Sequence, residues 1–144
     1  MLFRSLRIHA KSLTKFKAKL KLLTKRSNGM GYGQRKETLH SVIRGWVSYF
    51  KYADAKENLR GIDEWLRCRI RMCIWKNWKH IRTRIHNLIK CGVERDKAYQ
   101  WGNANKGYWA VAHSGIMQVA ASTRNLARAG YPSLLGYYEE YHCR

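Results

Sequence analysis

Residues 59–84 carry the helical pattern around which the rest of the chain is organised. Apolar residues recur there at steps of three and four, at Leu59, Ile62, Leu66, Ile70 and Cys73. A helix has 3.6 residues per turn, so these five positions share one stripe of its surface. The pattern predicts a long amphipathic helix whose inward face packs in a core.

The face turned away from that stripe combines two cations with two indoles, at Arg67, Arg71, Trp75 and Trp78. A single core would leave this outer face exposed, so the residues need another explanation. Two explanations are open and compatible. Either another domain packs there, or nucleic acid binds there, because guanidinium groups pair with phosphates and indoles stack on unpaired bases.

Helical periodicity recurs along the chain, and no segment alternates with period two over a useful length. Further helices are predicted at residues 12–26, 36–52, 94–101, 114–129 and 133–141, the first capped by Ser12. Gly45 inside the second of these helices costs about 1 kcal/mol relative to Ala, so it is expected to mark a close helix approach. The chain is predicted to be all-α, in two parts that join near residues 80–84.

The charge balance points to a polyanionic partner. Lys and Arg number 29 against 9 acids, a formal net charge of +20 that repels itself unless something neutralises it. A hydrophobic share of 45% and six tryptophans argue against a disordered basic tail. The natural partners of such a charge are nucleic acid or an anionic membrane surface, and nucleic acid is favoured. No run of 18 apolar residues predicts a membrane span and the N-terminus lacks the apolar centre of a secretory signal, so the protein is expected in the cytoplasm.

The predicted helix at residues 12–26 carries lysines on its outer faces and no acid to pair with them. These lysines are Lys11, Lys15, Lys17, Lys19, Lys21 and Lys25. Solvated faces usually mix charges of both signs, so a one-signed face favours phosphate binding. A mitochondrial transit peptide is the alternative for the basic N-terminal region, because no acid precedes Glu37.

Acidic residues near the start of the central helix raise the possibility of an enzyme. They are Asp54, Glu57, Asp63 and Glu64. Residues 52–55 look like the Tyr-x-Asp-Asp turn of reverse transcriptases, but Ala55 replaces the second carboxylate that metal binding needs. Asp54 is therefore predicted to cap the helix, and the other acids to interact with its dipole, although a nuclease remains an alternative.

The cysteines give no sign of a metal site. They lie at Cys68, Cys73, Cys91 and Cys143, with no C-x-x-C pair among them. A structural zinc site needs close pairs of thiolates or imidazoles, so we expect reduced cysteines, no metal and no cofactor.

A series of ordered motifs resembles the C-terminal portion of bacterial group II intron-encoded reverse transcriptases, or maturases. Three motifs are similar to the thumb: Leu39-x-x-Val42-Ile43-x-Gly45-Trp46-x-x-Tyr49-Phe50, Asp63-Glu64-Trp65-Leu66-Arg67-x-Arg69-Ile70-Arg71, and Trp75-Lys76-x-Trp78-Lys79 with Arg82-Thr83-Arg84. Four more look like the maturase-specific domain: Asn87-Leu88-x-x-x-Gly92-Val93, Ala98-Tyr99-x-Trp101-Gly102-Asn103, Lys106-Gly107-Tyr108-Trp109, and Gly130-Tyr131-Pro132-Ser133-Leu134-Leu135. The likeness covers residues 8–141.

This resemblance implies a three-helix thumb-like bundle at residues 1–80 and a small helical maturase-specific domain at residues 81–144. Such a segment would grip structured intron RNA, assist its splicing and mobility, and help to hold the template during reverse transcription. The parent family is an RNA-directed DNA polymerase, but the fingers, the palm and the Cys/His endonuclease domain are missing from this sequence. We therefore expect no polymerase activity from this chain alone, which would be an excised piece, a remnant or half of a split protein. A separate fingers and palm polypeptide is a possible partner, in a bacterial cytoplasm.

The sequence predicts two kinds of RNA contact. Phosphates are assigned to Lys15, Lys19, Arg67, Arg71, Lys79, Arg82, Arg84 and Lys106, and stacking to Trp75, Trp78 and Tyr108. A small basic ribosomal-type RNA-binding protein is the alternative function, although six tryptophans speak against it.

Overall fold

The computed structural model describes residues 7–25 and 28–142, which are 73% helical and contain no strand. The prediction of an all-α fold is confirmed. The helices in these ranges are α1 Ala10–Leu23, α2 Tyr32–Tyr49, α3 Lys56–Asn77, α4 Ile81–Lys90, α5 Arg95–Gly102, α6 Tyr108–Ala112, α7 Gly115–Ala120, α8 Thr123–Arg128 and α9 Leu134–His142. Within the same ranges, no helix is both long and apolar enough to cross a membrane.

The helices group into two compact units. The first unit contains the residues up to Leu66 together with those from Gly130 onward, and the second is Arg67–Ala129. In the first unit α2 packs on α1 and α9, and in the second α4 packs on α5 and α6 on α7. The division into a thumb-like part and a maturase part rests on motifs and stays a prediction.

In the first unit, α1 begins and ends differently from the prediction. Its N-cap is His9 rather than Ser12, because the His9 ring accepts a hydrogen bond from the Lys11 backbone N–H at 3.1 Å. At the other end, the buried Arg35 donates to the carbonyl oxygens of Leu23 and Lys25 at 3.3 and 3.4 Å. The predicted last residue, Arg26, lies outside the described residues.

Within the first unit, the N-terminus of α9 is hydrogen-bonded to α3. Asp63 of α3 is only 3% exposed. Its carboxylate accepts hydrogen bonds from the backbone N–H groups of Leu134 and Leu135 at 2.8 and 3.0 Å and from the Ser133 hydroxyl at 2.9 Å. The buried charge therefore satisfies donors that the first turn of a helix always leaves unpaired.

His40 and Tyr138 make further hydrogen bonds that hold the segment around α9. His40 Nε2 donates to the Gly130 carbonyl at 2.7 Å, so in the neutral ring Nδ1 accepts from the Tyr137 hydroxyl at 2.6 Å. The Tyr138 hydroxyl donates to the Ala53 carbonyl at 2.7 Å. Together with Asp63, these bonds join residues far apart in sequence.

The start of α3 corrects another predicted cap. The helix begins at Lys56, and the Ala55 carbonyl accepts its first hydrogen bond from the Leu59 N–H at 2.8 Å. Asp54 is exposed and lies one residue too early to be the N-cap. The acid that does cap a helix is Asp63, and the helix that it caps is α9.

In the second unit, the central helix ends close to the join predicted near residues 80–84, whereas one predicted long helix is interrupted. The central helix ends at Asn77 and restarts as α4 after His80, and Arg84 Nε donates to the Trp78 carbonyl at 2.7 Å across this break. The predicted helix at residues 114–129 is two helices, α7 and α8. The second is restarted by Ser122, whose hydroxyl accepts from the Asn125 N–H at 3.1 Å.

Candidate nucleic-acid interface

The predicted lysine face of α1 is present in the first unit. The lysines of this face are all exposed, namely Lys11, Lys15, Lys17, Lys19, Lys21 and Lys25, and α1 contains no acid. Lys17 lies 4.7 Å from the centre of the Trp65 ring. Lys15 and Lys19, which are one turn apart, instead line a cleft between α1 and α2. Two of the predicted phosphate ligands therefore share one opening.

Two predicted cations of the second unit lie where α3 gives way to α4. Lys79 and Arg82 are both exposed, and no acid occupies the first turn of α4. Arg84 is different, because its guanidinium lies 4.6 Å from the centre of the Trp75 ring while Nε holds the Trp78 carbonyl. Arg84 therefore stabilises the break between the helices, whereas the side chains of Lys79 and Arg82 are exposed to solvent.

The prediction that Arg71 lies on an exposed outer face is wrong. Its side chain is 6% exposed, and Nε donates to the Ala121 carbonyl at 2.8 Å. Burial lowers the pKa of Arg71 from its ordinary value, and it does the same for Arg69. Arg67 is half-buried. The Arg71 guanidinium thus secures the end of α7 instead of facing solvent.

For Trp75, burial favours the first of the two explanations left open by the sequence, which is packing against other parts of the protein. Trp75 is 1% exposed, and its ring meets Trp78 edge to face at 6.0 Å. The physical reason is that α3 is buried on several sides at this level, because Met72, Cys73 and Ile74 are buried as well. Protein packing accounts for Trp75 in this structure, whereas its neighbour Trp78 is half-buried.

Lys106 and Tyr108 flank the start of α6. Lys106 is exposed, with its ammonium 4.5 Å from the centre of the Trp101 ring. Such a cation over an indole is held by the negative face of the ring while it remains open to solvent. Tyr108 is half-buried, so part of its ring stays accessible. Their assignment to RNA contacts stays a prediction.

Sequence reasoning missed the aromatic side chains beside Lys15 and Lys19. Tyr49 is 82% exposed, and it lines the same cleft as Trp46 and Phe50. The signal was present, because Tyr49 follows Trp46 by three residues and therefore lies near it on the helix. What the sequence could not supply was the position of α1 alongside.

The acids considered for nuclease activity do not converge. Within residues 7–25 and 28–142, no three His, Cys, Asp or Glu side chains are grouped so as to hold a metal ion. Asp63 caps α9, and Glu57 pairs with Arg60 at 2.6 Å. Cys68, Cys73 and Cys91 are not disulfide-bonded, and burial raises the pKa of Cys91. Cys143 lies outside the described residues.

The position of Arg71 predicts a loss of stability when it is replaced. Arg71→Met leaves the Ala121 carbonyl without its donor, so we expect the free energy of unfolding to fall by about 1–3 kcal/mol. Arg67→Met, on the same helix but only half-buried, is the control and should cost less than half as much. Urea unfolding followed by far-ultraviolet circular dichroism measures both. Equal losses would contradict a special role for the Arg71 hydrogen bond.

Comparison with known families finds a match to a maturase-specific domain. The family model described as the group II intron, maturase-specific domain matches residues 13–92, which is more than half of the 144 residues. This segment covers α1 from Leu13 onward, the whole of α2 to α4, and every residue that lines the cleft beside Lys15 and Lys19 except Ser12. No curated protein matches the chain.

Proposed function

Because the chain belongs to the group II intron maturase-specific domain family, we propose that it is an RNA-binding segment of a group II intron maturase. It grips folded intron RNA and assists its splicing and mobility. The observation that carries this proposal is the one-signed charge of α1, with exposed lysines and no acid along the whole helix. Such a surface gains affinity for RNA chiefly through release of counterions from phosphates.

The proposal assigns particular residues to the backbone of the RNA. Lys15 and Lys19 of the first unit, and Lys79, Arg82 and Lys106 of the second, are exposed cations that can each meet a phosphate. Arg67, Arg84, Trp78 and Tyr108 are partly accessible and serve as secondary contacts. Arg71 and Trp75 are not used, because their side chains are buried.

The family resemblance extends the proposal to the organisation of a complete maturase. We place a thumb-like part at residues 1–80 and a maturase-specific part at residues 81–144. In this proposal the segment acts in the bacterial cytoplasm.

Salt dependence tests the proposed RNA binding. If at least four phosphates are neutralised, affinity for a folded group II intron RNA should fall about a hundredfold between roughly 50 and 200 mM salt. Filter binding across a salt series measures the slope of affinity against salt concentration. Lys15→Gln with Lys19→Gln should reduce that slope by roughly 1.5, because two phosphate contacts are lost.

A binding constant that hardly changes with salt would contradict the proposal. Tighter binding to a ribosomal RNA fragment than to the intron RNA, at matched salt, would favour the ribosomal-type alternative.

A further inference from the structure

The cleft between α1 and α2 combines aromatic walls with a cationic rim. It encloses about 720 Å³, within the range of about 300–1,000 Å³ typical of ligand pockets. Its lining residues are Ser12, Lys15, Phe16, Lys19, Ser41, Val42, Gly45, Trp46, Tyr49 and Phe50. The lining includes two lysines and no acid, so its charge suits an anionic occupant.

The aromatic side chains of the cleft are already held in place. Trp46 stacks on Phe16 with ring centres 4.1 Å apart and planes 4° apart, and Phe50 lies 4.6 Å from Trp46. Tyr49 meets Phe50 edge to face at 4.8 Å. Tyr49 is highly exposed, so this aromatic cluster presents one ring to solvent.

Gly45 shows that the cleft is open where a side chain would fit. The sequence predicted a close helix approach there, but a Cβ atom built on Gly45 would meet no atom within 4 Å, so that prediction is wrong. Gly45 nevertheless lies in the middle of α2, where a glycine weakens the helix. Because Gly45 lines the cleft and carries no side chain, the cleft wall is open at this position.

We propose that this cleft receives an unpaired nucleobase of a single-stranded RNA segment, stacked against Tyr49, with the flanking phosphates on Lys15 and Lys19. The inference rests on the proposed function and specifies its substrate as RNA with an unstacked base. Base–aromatic stacking accepts any base, because every base has a π face, so the cleft selects unpaired over paired RNA rather than one sequence. The Ser12 and Ser41 hydroxyls, one on each helix, are available to the edge of the base.

Filling the empty space separates this inference from general RNA binding. Gly45→Leu should weaken the binding of a labelled adenosine-rich single strand about tenfold, the loss expected for one stacked base. Binding of a blunt duplex RNA of equal length should change less than about twofold, because a paired base does not enter the cleft. Fluorescence anisotropy at low salt, with the full chain, measures both constants.

Gly61 provides the matched control. It lies within α3, is exposed, meets no atom within 4 Å of an added Cβ and does not line the cleft. Both leucine variants should keep or raise the thermal midpoint, since leucine favours a helix more than glycine does. Gly61→Leu should bind both RNAs as the unsubstituted chain does.

A pair of tyrosine variants tests the same inference without filling the cleft. Tyr49→Ala should weaken single-strand binding by a similar factor, whereas Tyr52→Ala should not, although Tyr52 is also 76% exposed. Equal weakening of single strand and duplex by Gly45→Leu, or no weakening of either, would overturn the cleft inference and leave the proposed function standing. Failure of the unsubstituted chain to bind either RNA would overturn both.

Discussion

Replacing Trp75 with alanine is expected to lower the free energy of unfolding by about 3–5 kcal/mol, the usual cost of emptying a buried aromatic site. The side chain is almost wholly covered, with the Arg84 guanidinium over its face and Trp78 at its edge. Its removal leaves a cavity and also takes away the cation–π partner of Arg84. Urea unfolding measured by circular dichroism gives the change directly.

Trp109→Ala is the control for Trp75. Trp109 belongs to the same unit but is substantially exposed, so its loss should cost clearly less stability. The comparison also separates two roles for Trp75. An unchanged free energy of unfolding combined with weaker RNA binding would show that Trp75 stacks on bases, contrary to its buried position.

Replacing Asp63 with alanine is expected to lower the free energy of unfolding by about 2–4 kcal/mol, because it removes charge-assisted hydrogen bonds from buried donors. The variant leaves the Leu134 and Leu135 N–H groups at the start of α9 without acceptors. Asp63→Asn should recover only part of the loss, since an amide offers one acceptor oxygen and no charge. Thermal and urea unfolding measure the three proteins.

The neighbouring Glu64 controls for the loss of a carboxylate as such. Glu64 is exposed, so Glu64→Ala should change stability by less than about 0.5 kcal/mol. A similar, small effect for Asp63→Ala would mean that the α9 contacts contribute little to stability.

The helices themselves were largely predictable, because their inward stripes follow from local spacing. Leu20, Leu39, Ile43 and Leu66 are buried as the three- and four-residue steps indicate. The same spacing predicts that Val119 is buried, but its side chain is 54% exposed. The reason is that the helix predicted around it is broken before Ser122. This break depends on the Ser122 cap and on the hydrogen bond from Arg71, which is distant in sequence. The periodicity of a single segment cannot predict it.

The candidate site was predictable only in part, for a related reason. Lys15 and Lys19 could be identified because a one-signed helix face is a property of a single segment. Arg71 and Trp75 were misplaced because periodicity identifies one buried stripe and cannot reveal that a helix is covered on several sides. Tyr49 became relevant only when α1 was seen to lie beside it.

The capping of α9 by Asp63 limits how far the protein can be truncated without losing a contact of the first unit. A polypeptide restricted to the matched residues 13–92 would retain the carboxylate but lose all of Ser133, Leu134 and Leu135, its three donors. The Asp63 carboxylate, which is buried in the intact chain, would then have lost the hydrogen-bond donors that offset its burial. The shortest fragment that folds as the intact first unit does must therefore bring back the turn around Ser133, even though forty residues separate that turn from the matched segment.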